Sequence, residues 1–180
     1  NIVHQMAELG LMGIPIPESL GGAGMDTVAY AATVMELARA DASVAITMAA
    51  HTSLGTMPIV IAGSEEQKKK FVPPLASGEM IGAFGLTEPD AGSDAGATKT
   101  TAVKKGAEYI LNGGKIFITN VGEAGILNLT ARVIDEDEDK GIGAFIIETN
   151  TPGLIINPKE KKMGWCASDT RQIFFEDMAV

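Results

Sequence analysis

Cysteine occurs once, at Cys166, and histidine only twice, at His4 and His51. A single thiol can neither close an intramolecular disulfide nor build a cysteine-based zinc cage. Two histidines so far apart in sequence have no metal-pair spacing, and each is expected as a surface or hydrogen-bonded helix residue. Basic side chains are also scarce: 14 Lys and Arg stand against 23 Asp and Glu, a net charge of −9. A nucleic-acid-binding surface needs the opposite balance. Neither half carries a polybasic arm, with 4 basic and 8 acidic residues before Met80 and 10 and 15 from there on. No uninterrupted apolar run approaches the roughly 20 residues that span a bilayer. No charged leader with an apolar core and a small-residue cleavage site opens the sequence. A soluble, intracellular protein is the expectation.

What is present suits a packed core: 46% hydrophobic and 21% charged residues over 180 positions, enough for one large domain or two small ones. The sequence begins at Asn1 inside what reads as the end of a helix, residues 2–9 closed by Gly10, and stops at Val180 directly after an apolar strand. A piece of a longer chain is expected. Residues 1–79 read as a helical domain. Asp26 is placed to cap a helix on which Val28, Ala31, Ala32, Met35 and Ala38 recur at three- and four-residue spacing. Residues 43–63 are apolar nearly all round, as in a buried bundle helix, with Pro58 expected to break or kink it. Ser64-Glu65-Glu66-Gln67 is a capping box, its two glutamates complementing the positive end of the helix dipole. Lys68 to Lys70 follow as a solvated face.

From Met80 the period changes to two, and residues 80–180 read as a β domain. Asn112-Gly113 between apolar runs 109–111 and 115–119 signals a hairpin, because both positions tolerate positive φ. Further strands are expected at 125–134, 143–148, 154–157 and 172–175. Asp135-Glu136-Asp137-Glu138-Asp139 is five carboxylates in a row, expected as an exposed loop rather than a calcium site, since EF-hand spacing is missing.

Some familiar motifs fail. Gly21-Gly22-Ala23-Gly24 lacks the Rossmann spacing, and Pro15 and Pro17 spoil the preceding strand. Gly114-Lys115 is followed by Ile116, so it is no phosphate-binding loop, and the sequon Asn128-Leu129-Thr130 falls in an expected strand. The segment from Phe84 to Ala95, Phe-Gly-Leu-Thr-Glu-Pro-Asp-Ala-Gly-Ser-Asp-Ala, is more informative. It leaves a strand, turns at Pro89 and runs through small residues whose amides a ligand can approach. Successive N–H groups in such a turn suit an anion, with Thr87 and Ser93 adding hydroxyl donors. By residue chemistry alone, an ordinary inter-strand loop remains the competing reading.

Leu86-Thr87-Glu88-Pro89-Asp90-Ala91-Gly92-Ser93-Asp94 resembles the flavin-binding signature of the acyl-CoA dehydrogenases. Leu111 to Asn120 resembles that family's hairpin, whose Trp/Phe-Ile-Thr-Asn end faces the flavin, and Thr151-Pro152-Gly153-Leu154, Lys162-Met163-Gly164 and Phe175-Glu176-Asp177 follow in its order. Pro17-Glu18, the 21–24 glycines and the 64–67 capping box match its helical part. The resemblance implies an α+β protein: an N-terminal helical domain lacking its first helices, then a middle β domain of two packed sheets. It further implies that the family's C-terminal helical bundle, bearing the catalytic glutamate, lies beyond Val180, so no catalytic base is assigned here. FAD is the implied cofactor. Phe84, Gly85, Leu86 and Thr87 would line the flavin, Thr87 at its pyrimidine edge. Gly92 and Ser93 would meet the pyrophosphate, with Ser93 also touching the pantetheine of the acyl-CoA thioester substrate. Phe117, where many relatives have Trp, would pack on the isoalloxazine beside Ile118, and Thr119 would bond N5. Implied partners are an electron-transferring flavoprotein and further copies of the chain in a tetramer or dimer. The expected location is the cytoplasm of a bacterium or the mitochondrial matrix of a eukaryote, the cytoplasm being preferred. A flavin oxidase or monooxygenase on the same scaffold, or a non-enzymatic relative, would share these motifs.

Overall fold

The computed structural model describes residues 2–180. Helices come first: α1 Ile2–Glu8, α2 Thr27–Ala40, α3 Ala42–Ala50, α4 Met57–Ala62 and α5 Glu65–Ala76, with a π-helical turn, His51–Thr56, joining α3 to α4. Seven strands follow: β1 Gly82–Gly85, β2 Thr101–Lys105, β3 Glu108–Thr119, β4 Ile126–Asp135, β5 Glu138–Glu148, β6 Leu154–Ile156 and β7 Thr170–Ala179.

The helix starts behave as their sequences require. Asp26 Oδ1 accepts from the Ala29 amide at 2.8 Å, and Ser64 and Gln67 bond each other's backbone at 3.2 and 2.8 Å. Gly10 takes the left-handed conformation just past α1. The apolar stripe on α2 faces outward, however: Val28 and Met35 are 74% and 67% exposed. The inward face is the one bearing Tyr30, Val34 and Leu37, which pack on Met6, Met12 and Met48.

Pro58 does not break the 43–63 helix. A proline clashes with the carbonyl four residues back and offers no N–H of its own. The chain absorbs this by widening into the π turn, a recognised helix accommodation. The loosened carbonyls of Leu54 and Gly55 accept from Asn128 Nδ2 of β4 at 3.2 and 2.7 Å. Asn128 is thus buried and committed. His51, fully buried, bonds the Leu75 carbonyl through Nε2 at 3.0 Å and accepts the Gly82 amide on Nδ1 at 2.9 Å. Those two bonds fit the neutral ring. Burial outweighs the bonds that favour the charged form and lowers its pKa to about 4. The whole 42–62 run is 21 residues and passes the length and composition test for a membrane span. Buried Thr52 and Thr56 bond backbone within this packed layer, as in the core helix of a globular domain.

The strands run β1-β4-β2-β3-β7-β6, with β5 on the other edge of β4. Strand β4 pairs parallel with β1 along its first half and with β2 along its second. The expected pair of packed sheets is realised as one hydrogen-bonded network. Six of its strands send buried side chains, among them Ala83, Leu111, Leu127, Ile147 and Phe175, into a single apolar core, and β6 packs Leu154 and Ile156 against it.

Asn112-Gly113 is not a hairpin. β3 runs straight through it, and the β2–β3 turn falls at Gly106, φ 65°. Asn112 instead exchanges bonds with Asp177, donating Nδ2 to its carboxylate and accepting its amide. Gly113, at φ 138°, marks a register shift against β7, and a Cβ there would sit 2.8 Å from Thr100 Cα. Positive φ serves a bulge here rather than a turn. The acidic run 135–139 is a tight hairpin between β4 and β5, with Glu136 and Asp137 both at positive φ. Three of its carboxylates are neutralised by Lys104, Arg132 and Lys140.

Candidate functional site

A cavity of about 210 Å³ opens where the end of β1, the end of β3 and the π turn meet, lined by Ala50, Leu54, Phe84, Leu86, Thr87, Phe117, Ile118 and Thr119. Its shape depends on a second bulge. On β3, Lys115 pairs with Ile173 and Ile118 with Arg171, so three steps on one strand face two on the other. The surplus residue is Phe117. It adopts φ 60° and is 64% exposed. A left-handed conformation costs a non-glycine residue on the order of 1–2 kcal/mol, and exposing an aromatic ring forgoes its burial. Strain of this kind concentrates at ligand sites. The hydroxyls of Thr87 and Thr119, both lining residues, make no hydrogen bond with any described residue.

Beside the cavity runs the loop after β1. Glu88 and Ala91 exchange backbone bonds at 2.8 and 3.2 Å around Pro89-Asp90. The amides of Gly92 and Ser93, and the Ser93 hydroxyl, have no partner among the described residues. A Cβ on Gly92 would lie 4.0 Å from the Thr87 methyl, which places this stretch next to the cavity rim.

The loop is held from below by two residues the sequence reading passed over, Glu88 and Lys115. Their side chains are 4% and 0% exposed and meet at 2.7 Å. Glu88 also accepts from the Thr98 hydroxyl and from the amides of Lys99 and Thr100. Burial by itself would raise the Glu88 carboxyl, but Lys115, Thr98 and Lys99 more than offset it and hold the pKa at about 2. Burial also pulls the Lys115 ammonium down, against the attraction of Glu88. The available signal was a lone lysine amid Ile and Phe in a period-two strand, with a glutamate in the facing loop.

Of the residues singled out from sequence, Phe84, Leu86, Thr87, Phe117, Ile118 and Thr119 come together on this cavity. Gly85 lies behind it, packed on Lys115, while Gly92 and Ser93 sit on the exposed adjoining loop. The donor set fits a flavin: apolar walls for a ring, unbonded hydroxyls for its polar edges and free amides for a pyrophosphate. No group of three or more His, Cys, Asp or Glu among the described residues could hold a metal ion.

Two family models match the chain, "Acyl-CoA dehydrogenase, N-terminal domain" over residues 1–79 and "Acyl-CoA dehydrogenase, middle domain" over residues 83–178. The chain belongs to the acyl-CoA dehydrogenase family. An acyl-CoA dehydrogenase of Bacillus subtilis is 49% identical over all 180 residues, which cover 48% of that relative. Butyryl-CoA dehydrogenase from Megasphaera elsdenii superimposes with a TM-score of 0.93 at 45% identity, over 99% of this chain and 48% of that one. An acyl-CoA dehydrogenase complexed with FAD from Bacillus anthracis gives 0.92 at 42%, over 99% and 30%. The chain thus spans about half the length of the curated relatives it matches.

Proposed function

We propose that this chain forms the flavin-facing wall of an FAD-dependent acyl-CoA dehydrogenase, which converts an acyl-CoA thioester to the trans-2-enoyl-CoA. The observation that carries this is the pair of unbonded hydroxyls, Thr87 and Thr119, facing one apolar cavity beneath the strained, exposed Phe117. The names of two relatives point the same way, one bound to FAD and one acting on butyryl-CoA. When bound, FAD would supply the acceptor for the hydride leaving the carbon two removed from the thioester carbonyl.

The chain's own residues would bind and orient. Thr87 would hold the pyrimidine edge of the ring and Thr119 would donate toward N5. Phe84 and Phe117 would cover the ring plane and exclude water. Gly92 and Ser93 would bind the pyrophosphate, with Ser93 also reaching the pantetheine. Ala50 and Leu54 offer apolar surface to the acyl end. A single preorganised donor at a site of developing negative charge is worth about 2.7–4 kcal/mol. No cavity-lining residue titrates, and the nearby Glu88 is locked to Lys115. As the family resemblance implies, the base that removes the proton next to the carbonyl is assigned to the part of the relatives that this chain does not span. An electron-transferring flavoprotein as acceptor and a homo-oligomeric assembly complete the proposal.

Chromatography of the cofactor released from the denatured full-length protein tests the reading. FAD is expected at close to one per chain, reduced in Gly92→Val and unchanged in Cys166→Ala. Equal FAD content in the two variants would contradict the assignment of the 92–93 amides.

A further inference from the structure

Lys115 is a buried cation on the strand that carries the cavity's most strained residue. Its ammonium has three N–H groups and three acceptors: Glu88 Oε1 at 2.7 Å, Thr98 Oγ1 at 3.0 Å and the Leu86 carbonyl at 3.1 Å. The donor inventory of the group is therefore used up. One residue further along β3, the Ile116 amide donates to the Thr87 carbonyl at 2.8 Å. Leu86 and Thr87, which form one cavity wall, thus have both carbonyls bonded to β3. The bonds land just before the bulge that turns Phe117 out, two residues ahead of Thr119, which lines the same cavity. Gly85 eases the approach, because a Cβ there would lie 3.3 Å from the lysine stem and 3.4 Å from Leu129, close enough to make the stem shift by a few tenths of an ångström.

Packing alone would not call for a charge at this point. Interior ion pairs add little net stability over well-packed apolar residues, since desolvation consumes the attraction. What a three-acceptor ammonium does add is direction, tying three segments at fixed distances. We propose that Lys115, with Glu88 as its counter-ion, is a positioning residue that fixes Thr87 relative to Thr119 by tying the Leu86-Thr87 segment to β3. It touches neither ligand nor cavity, and acts through the Leu86 carbonyl and the 115–118 bulge. The consequence for a bound flavin rests on the reading given under Proposed function.

The test uses the full-length protein and the double variant Lys115→Met/Glu88→Gln, which removes both charges together and leaves no buried ion unpaired. Leu75→Ala, in the helical core, serves as the control for lost stability. The double variant is expected to bind FAD at least tenfold more weakly, to shift the visible flavin band, and to reduce flavin at least tenfold more slowly with acyl-CoA KM little changed. Leu75→Ala should lower Tm while leaving the flavin band in place. Hydrogen exchange at the amides of residues 86–88 and 116–119 reads the geometry without any flavin, and is expected to rise in the double variant only. Wild-type exchange in those segments, or a band shift equal to that of Leu75→Ala, would overturn the proposal. A wild-type protein that takes up no flavin would sink the flavin reading, and the exchange data would still decide the role of Lys115.

Discussion

Thr119 ends β3 with an unbonded hydroxyl on the cavity, and Thr87, in the loop after β1, lines the same cavity. If Thr119 donates toward flavin N5, Thr119→Val in the full-length enzyme should slow flavin reduction by at least about tenfold, and by about 10²–10³-fold if the donor is worth as much as one in an oxyanion site. Wild-type rates with full FAD occupancy would remove Thr119 from that role. Glu88 gives a separate, acid-side prediction. Its carboxyl falls from an ordinary 4.5 to about 2 in the fold, so its contribution is complete above pH 4.5 and is lost as pH drops toward 2. The difference is worth about 3 kcal/mol. Urea midpoints measured across that window should fall for the wild-type protein and vary less in Glu88→Gln. Phe84, Leu86, Thr87, Phe117, Ile118 and Thr119, which line one cavity, were singled out by the resemblance of their motifs to the family's, since residue chemistry alone left the 84–95 segment open to an ordinary loop. Lys115 was not legible, because a charged residue within a strand ordinarily points to solvent. Its burial depends on a glutamate brought from 27 residues away.

The π turn between α3 and α4 joins three elements, with His51 bonded to α5 and β1, and the Leu54 and Gly55 carbonyls bonded to Asn128 of β4. Leu54 also lines the cavity, so the turn's geometry reaches the site. Asn128→Ala would leave two carbonyls short of a partner and should cost about 1–3 kcal/mol in chemical denaturation. An unchanged midpoint would show that water or backbone relaxation satisfies them. His51 is neutral in the fold, with a pKa lowered from 6.5 to about 4. Unfolding therefore takes up a proton between those values: stability is complete above pH 6.5 and declines by about 3 kcal/mol as pH falls to 4. His51→Gln should flatten that part of the stability profile, and a slope that persists would place the proton elsewhere. Caps were legible because Asp26 and the Ser64–Gln67 box are local. The Asn112-Gly113 turn was misread because a positive-φ pair serves a bulge as well as a hairpin, and the choice lies with Asp177, far along the chain. The outward stripe of α2 was ambiguous because Tyr30, Val34 and Leu37 form a second apolar stripe on the same helix.

At the scale of the molecule, the helical layer and the β network meet along β1, and the candidate site sits at that junction. Ala50 and Leu54 come from one side, the strand ends from the other. The change from three-and-four to two-residue periodicity near Met80 made this order of layers readable. The joining of β1 and β2 along one edge of β4 was not, since parallel pairing leaves no local mark in sequence. The central claim is that the two walls together present a flavin to an acyl-CoA thioester. Anaerobic titration of the full-length, FAD-loaded protein with acyl-CoAs of increasing length, followed by flavin absorbance, tests it most directly. The visible band should bleach on addition of butyryl-CoA, with trans-2-enoyl-CoA formed in proportion. A flavin that stays oxidised with every acyl-CoA, or a protein that holds no flavin, would contradict it.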